Sequence, residues 1–107
     1  MWPSNNLIKE NILNNNSLVC KVNYKSISIL FTGDIEEIAE KRMLNEYKSN
    51  TINATILKVA HHGSKSSSIQ EFLTQVNPKI ALIGVGSNNN FGHPNESVID
   101  RLENMRL

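Results

Sequence analysis

The apolar positions of this chain change their period several times between Ser17 and Leu102, and each change marks an element. Leu18, Cys20 and Val22 alternate with polar residues, and then Ile27, Ile29, Leu30 and Phe31 crowd together. Both stretches are rich in β-branched and aromatic side chains, which predicts strands over Ser17–Asn23 and Ser26–Thr32. A connection as short as Tyr24-Lys25 joins antiparallel neighbours, so the two should form a hairpin. After Gly33-Asp34 the period lengthens: Ile35, Ile38, Ala39, Met43, Leu44 and Tyr47 recur at three and four residues. That spacing predicts an amphipathic helix of about three turns. A strand from Ala54 to Ala60 follows. Ile69, Phe72, Leu73 and Val76 then predict a second helix that stops before Pro78. The run "KIALIGVGS" is nearly all apolar, as in a strand covered on both faces. Val98, Ile99 and Leu102 suit a third helix that opens near Pro94-Asn95. The order β-β-α-β-α-β-α belongs to the α/β class and reads as the back half of a layered fold. Residues 1–16 are polar, Asn-rich and without a convincing period. They read as a linker or a truncated lead-in to a domain over 17–107.

Composition limits what such a domain can be. A chain of 107 residues, 39% hydrophobic and 20% charged, makes one modest core. Its formal charge of +1 creates no global field for nucleic acid. No apolar run is long enough for a membrane span, and the N-terminus lacks the basic start and long apolar stretch of a signal peptide. Cys20 is the single cysteine, so internal disulfides and Cys-rich zinc chemistry are excluded. Its place in an apolar pattern makes it a small buried hydrophobe. The runs Asn14–Asn16 and Asn88–Asn90 suit surface connections, since Asn favours turns.

The candidate chemistry sits where apolar runs end. Thr32-Gly33-Asp34, His61-His62-Gly63-Ser64 and Gly92-His93-Pro94 together hold all three histidines. If the strands run parallel, their ends meet on one edge of the sheet, where open α/β folds bind ligands. Asp34 has two readings. With Glu37 three residues on, it could form a capping box; as a carboxylate at the sheet mouth, it could bridge cations through both oxygens. Adjacent histidines on a strand face opposite ways, so His61 and His62 reach one pocket only if the chain turns at Gly63. Either could be a metal ligand or catalytic, and the pair could equally cap the next helix. Ser64 and Lys65 precede that helix, where free N–H groups and a positive dipole end suit phosphate, although serines there are also ordinary caps. His93 could be a ligand, a general acid, a substrate contact or a structural loop residue.

The segments "SLVCKVNYKSISILFTGDIEE", "LKVAHHGSKSSS" and "NPKIALIGVGSNNNFGHPNESVIDRL" resemble the second half of the metallo-β-lactamase-like domain found at the C-terminus of the ComEC family, which serves bacterial competence and DNA uptake. The resemblance runs from about Asn16 to Leu102 and implies half of an αββα sandwich. It implies metal ligands at Asp34 and in the His61-His62 pair, with His61 preferred, and active-site roles for His93 and His62. The implied cofactor is a divalent metal, zinc or manganese. The implied reaction is phosphodiester hydrolysis on single-stranded or duplex DNA, in a parent protein attached to the cell membrane.

One departure weighs as much as the match. His-x-His-x-Asp-His, the family's principal metal motif, belongs to the first half of the domain and occurs nowhere in this sequence. About three ligand candidates cannot hold two metals in catalytic geometry. The chain therefore reads as a truncated domain or a separately encoded half, inactive alone, whose exposed apolar face a partner half should cover. The alternatives are a fragment of another hydrolase of that superfamily, acting on small phosphodiesters, and a non-catalytic α/β module in which Asp34 and the histidines only cap helices.

Overall fold

Strands β1 (Cys20–Tyr24) and β2 (Ile27–Phe31) pair antiparallel, with Val22 opposite Ile29 and Tyr24 opposite Ile27. Lys25 sits in the tight turn between them at φ 54°, as hairpin connections of this length demand. The computed structural model describes residues 1–86 and 92–106. β2 runs parallel to β3 (Ile56–Lys58), and β3 runs parallel to β4 (Ile80–Leu82), giving a four-stranded sheet in the order β1-β2-β3-β4. Parallel neighbours need crossovers. Helices α2 (Glu37–Glu46) and α3 (Ser49–Ile52) link β2 to β3. A 3-10 turn (Ala60–Gly63) and α4 (Gln70–Val76) link β3 to β4, and α5 (Glu96–Asn104) comes last. The expected order is present, with α1 (Ile12–Asn15), α3 and the 3-10 turn added. Elements of four residues are too short to show a period.

The register explains where the core lies. Leu30, Leu57 and Ala81 stand side by side across the strands, so they share one face. That face packs against Ala39 and Met43 of α2, Phe72, Leu73 and Val76 of α4, and Val98 and Leu102 of α5. The other face carries Val22, Tyr24, Ile27, Phe31, Ile80 and Leu82, which remain 40–70% exposed. The "KIALIGVGS" stretch is thus covered on one side only, contrary to its all-apolar pattern; Ser87 and Asn88–Asn90 lie outside the described residues. Ile38 likewise faces outward, 43% exposed, while Glu40 is fully buried. The inward stripe of α2 runs through Ala39, Glu40 and Met43.

Residues 1–16 pack onto this body. Trp2 is 1% exposed and Ile8 3%. The Trp2 backbone bridges Val19, and its indole Nε1 donates to the Asn15 carbonyl at 2.8 Å. The Arg42 guanidinium lies 5.2 Å from the Trp2 ring and donates to Ser4 Oγ at 2.8 Å. The segment that reads as linker or lead-in in the sequence is bound to Arg42 of α2 and to Val19 just before β1, and one aromatic anchor in a polar stretch leaves no periodic signal of it. No helix of the described residues is long and apolar enough to cross a membrane.

Candidate active site

The C-terminal ends of β2, β3 and β4 meet along one edge, and short bonds tie them there. Thr32, fully buried, donates through Oγ1 to the Lys58 carbonyl at 2.5 Å. His61 N donates to the Gly33 carbonyl at 2.9 Å, and Val59 N to Leu82 at 2.9 Å. Gly33 lies at φ 54°, and a Cβ there would come within 2.7 Å of Ser17 Cβ, so the turn that aims Asp34 requires glycine. Asp34 does not cap α2. The N-cap position belongs to Glu36, whose side chain makes no cap bond either. Glu37 pairs instead with Lys41 at 2.7 Å, which holds its carboxyl below the usual range.

The histidine pair departs from strand geometry altogether. His61 and His62 both adopt left-handed backbone, at φ 52° and 56°, so the chain turns at the histidines themselves as well as at Gly63. Both rings consequently gather around His93. The His61 ring meets it edge-on at 5.7 Å, and the His62 ring stacks on it at 6.4 Å. His62 Nδ1 lies 2.5 Å from the Gly84 carbonyl; a carbonyl only accepts, so Nδ1 carries the proton and Nε2 of the neutral ring is free as a donor atom. That Nε2 stands 4.0 Å from Asp34 Oδ1. The neighbour of Asp34 is thus His62, whereas His61 approaches Glu36, with Nδ1 to Oε2 at 3.6 Å. His61 Nδ1 is buried without a hydrogen bond. Partial burial, and after it the His61 and His62 rings, hold His93 below the usual imidazole range. The neutral ring is therefore its resting form at neutral pH.

The serine segment is organised by two glutamates that the pattern of the sequence did not single out. Glu40 Oε2 accepts from Ser68 N at 2.6 Å and Oε1 from Ile69 N at 3.0 Å. Ser68 and Ile69, which lead directly into α4, thus give their N–H groups to a carboxylate. Ser64 Oγ bonds Ser66 Oγ at 2.9 Å, Ser66 Oγ donates to Glu36 Oε2 at 2.8 Å, and Ser67 Oγ donates to the Ile35 carbonyl at 2.6 Å. Lys65 is exposed. Burial pushes the Glu40 carboxyl up to about 7, against the pull of the Ile69 and Ser68 amides and of Arg101. A signal for Glu40 did exist: it precedes Met43 by three residues and Tyr47 by seven, which places it on the inward stripe.

Carboxylate and neutral imidazole are donors that suit zinc or manganese. Asp34 Oδ1 and His62 Nε2 are two acceptors facing each other, an arrangement a cation would relieve. Yet no group of three or more His, Cys, Asp or Glu side chains among the described residues is placed to hold a metal. The residues present fit part of a metal shell and do not close it.

Comparison with known proteins gives consistent kinship. The chain is 41% identical over 90 residues to "ComE operon protein 3" of Bacillus subtilis (strain 168), a match covering 84% of this chain and 11% of that protein. It is 42% identical over 90 residues to "Uncharacterized protein YcaI" of Escherichia coli (strain K12), covering 84% of this chain and 12% of that protein. It is 34% identical over 89 residues to "Competence protein ComA" of Neisseria gonorrhoeae, covering 83% of this chain and 13% of that protein. The chain thus spans 11–13% of the length of these relatives. No family model and no solved structure matches it.

Proposed function

We propose that this chain, which belongs to the ComEC family of competence proteins, supplies one wall of a metal-dependent phosphodiesterase that cleaves DNA during uptake. Its sheet and helices are, in this reading, half of a metallo-β-lactamase-type αββα sandwich. The other half, bearing His-x-His-x-Asp-His, packs on the open apolar face. What supports the reading is the meeting of Asp34, His62 and His93 at the C-terminal edge of three parallel-paired strands, with His62 Nε2 4.0 Å from Asp34 Oδ1. The open face beside them supports it as well.

Asp34 and the His61-His62 pair would hold zinc or manganese, with two ions only when the other half completes the shell. The bound cation would stabilise charge on phosphoryl oxygens and lower the pKa of water. The remaining work falls to the chain's own groups. Gly84 fixes the His62 ring so that Nε2 faces Asp34. His93, neutral at rest, can accept a proton at a ring nitrogen or contact the phosphate ester. Lys65, exposed next to the serine turn, can place a point charge near a phosphate. In this reading DNA is the substrate and the parent protein is attached to the membrane, and the kinship with competence proteins supports both.

The test is to join this chain to the preceding segment of ComE operon protein 3 and measure manganese- or zinc-dependent DNA cleavage and metal stoichiometry. Cleavage should require both parts, and Asp34→Ala should abolish it with loss of bound metal. Unchanged metal stoichiometry in Asp34→Ala would overturn the assignment. A fall in cleavage with intact folding would count against a module in which Asp34 and the histidines only cap helices.

A further inference from the structure

Glu36 carries more hydrogen bonds than a surface residue at a helix start needs. Its Oε1 accepts from Asn11 Nδ2 at 2.7 Å and Asn15 Nδ2 at 3.3 Å, and its Oε2 accepts from Ser66 Oγ at 2.8 Å. Its backbone N donates to Asn15 Oδ1 at 2.9 Å. Asn15 is itself fully buried, held by its Nδ2 bond to the Glu10 carbonyl and by the Trp2 indole on its own carbonyl. Three donors from two distant segments therefore fix one carboxylate in place. Beside it lies His61 Nδ1, buried and without a hydrogen bond, 3.6 Å from Glu36 Oε2.

A buried ring nitrogen left without a partner is costly, and the anchored carboxylate is the acceptor next to it. A small rotation of the imidazole closes the gap to hydrogen-bond distance. We infer that Glu36 is a positioning residue which, held by Asn11, Asn15 and Ser66, takes the Nδ1 proton of His61 in a hydrogen bond and so presents His61 Nε2 to the cleft it shares with His93. His62 is set the same way by the Gly84 carbonyl, so both rings of the pair turn Nε2 outward from anchored Nδ1 partners. Such outer partners orient ligand histidines and fix their tautomer. That the presented nitrogen serves a metal rests on the function proposed above; the pairing itself does not. It also gives residues 1–16 a task, because Trp2 and Asn15 hold the acceptor from behind.

The tautomer is directly readable. Long-range proton–nitrogen NMR of the metal-free, nitrogen-15-labelled full chain at about pH 8, where imidazole is neutral, should show His61 protonated at Nδ1. Glu36→Ala should move His61 toward the Nε2-protonated form that free imidazole favours, while His62 keeps its Nδ1 proton. An Nε2-protonated His61 in the folded wild-type chain overturns the inference. So does an unchanged His61 signature in folded Glu36→Ala. Should that variant fail to fold, the wild-type spectrum decides alone. Because no metal is present, the result is independent of whether Asp34 and the histidines bind one.

Discussion

Gly63 is pressed against Pro94: a Cβ on Gly63 would lie 2.7 Å from Pro94 Cβ and 3.0 Å from its Cα. The Gly63 carbonyl also accepts from Asn95 N at 2.8 Å, so the turn carrying His61 and His62 is joined to the loop carrying His93. Gly63 further sits at φ 80°, which a side chain resists. Gly63→Ala should therefore destabilise by about 1–3 kcal/mol from overpacking and backbone strain. It should also separate the rings. Thermal unfolding together with histidine ring NMR would check this; unchanged stability and ring shifts would contradict it.

Asp34→Ala distinguishes two roles through stability alone. A lost N-cap costs about 1 kcal/mol, but Asp34 makes no cap bond and its side chain is 47% exposed. Its removal should change the folding free energy by no more than about 0.5 kcal/mol. Denaturant unfolding of the isolated chain reads the difference, and a loss near the cap value would restore Asp34 to a structural role.

The elements that chain periodicity predicts are those with enough residues to repeat. The hairpin, α2, α4 and α5 were legible from Val22, Ile29, Met43, Leu73 and Leu102, and Asn95 caps α5 as the Pro94-Asn95 signal implied. The strand-end placement of Asp34 and His61-His62 followed from the same pattern. Left-handed backbone at both histidines did not, because φ > 0 at a non-glycine residue depends on tertiary partners such as the Gly33 carbonyl and Pro94. Glu36 and Glu40 stayed hidden for a related reason. Polar residues read as surface unless their hydrogen-bond partners are known, and the donors Ser66, Ser68 and Ile69 lie about thirty residues away along the chain.

Glu40 should give the chain an unusual pH dependence. Its carboxyl rises from a usual 4.5 to about 7, so between those values the folded chain binds more protons at this site than the unfolded one. Stability from this group is then greatest below 4.5, falls as pH rises through the window, and levels off above about 7. The slope is at most about 1.4 kcal/mol per pH unit. Glu40→Gln removes this titration, so the wild-type minus variant difference should fall with pH across that window. Parallel pH profiles from urea unfolding would refute it.

Trp2→Ala tests whether the first residues belong to the fold. Trp2 is 1% exposed and bridges Val19, and truncating a buried aromatic costs about 3–5 kcal/mol. A linker would show no such loss. The comparison needs only the thermal midpoint of the two chains, and a shift within error would return residues 1–16 to the status of a lead-in.

The two faces of the sheet should answer oppositely to charge. Leu57 and Ile56 are neighbours on β3, but Leu57 is 1% exposed among the helices, while Ile56 pairs with Ile80 on the open side. Leu57→Lys buries an unpaired charge and should prevent folding. Ile80→Lys places the same charge where the side chain is already 49% exposed. Its cost should stay within about 0.5 kcal/mol, and hydrophobic-dye binding and self-association should fall as the apolar patch is broken. If the preceding segment of ComE operon protein 3 packs on this face, Ile80→Lys should also weaken assembly with it and reduce DNA cleavage, while the folded state of the separate chain is retained. Full assembly with a lysine at that position would show that the face is covered by something else, or left open.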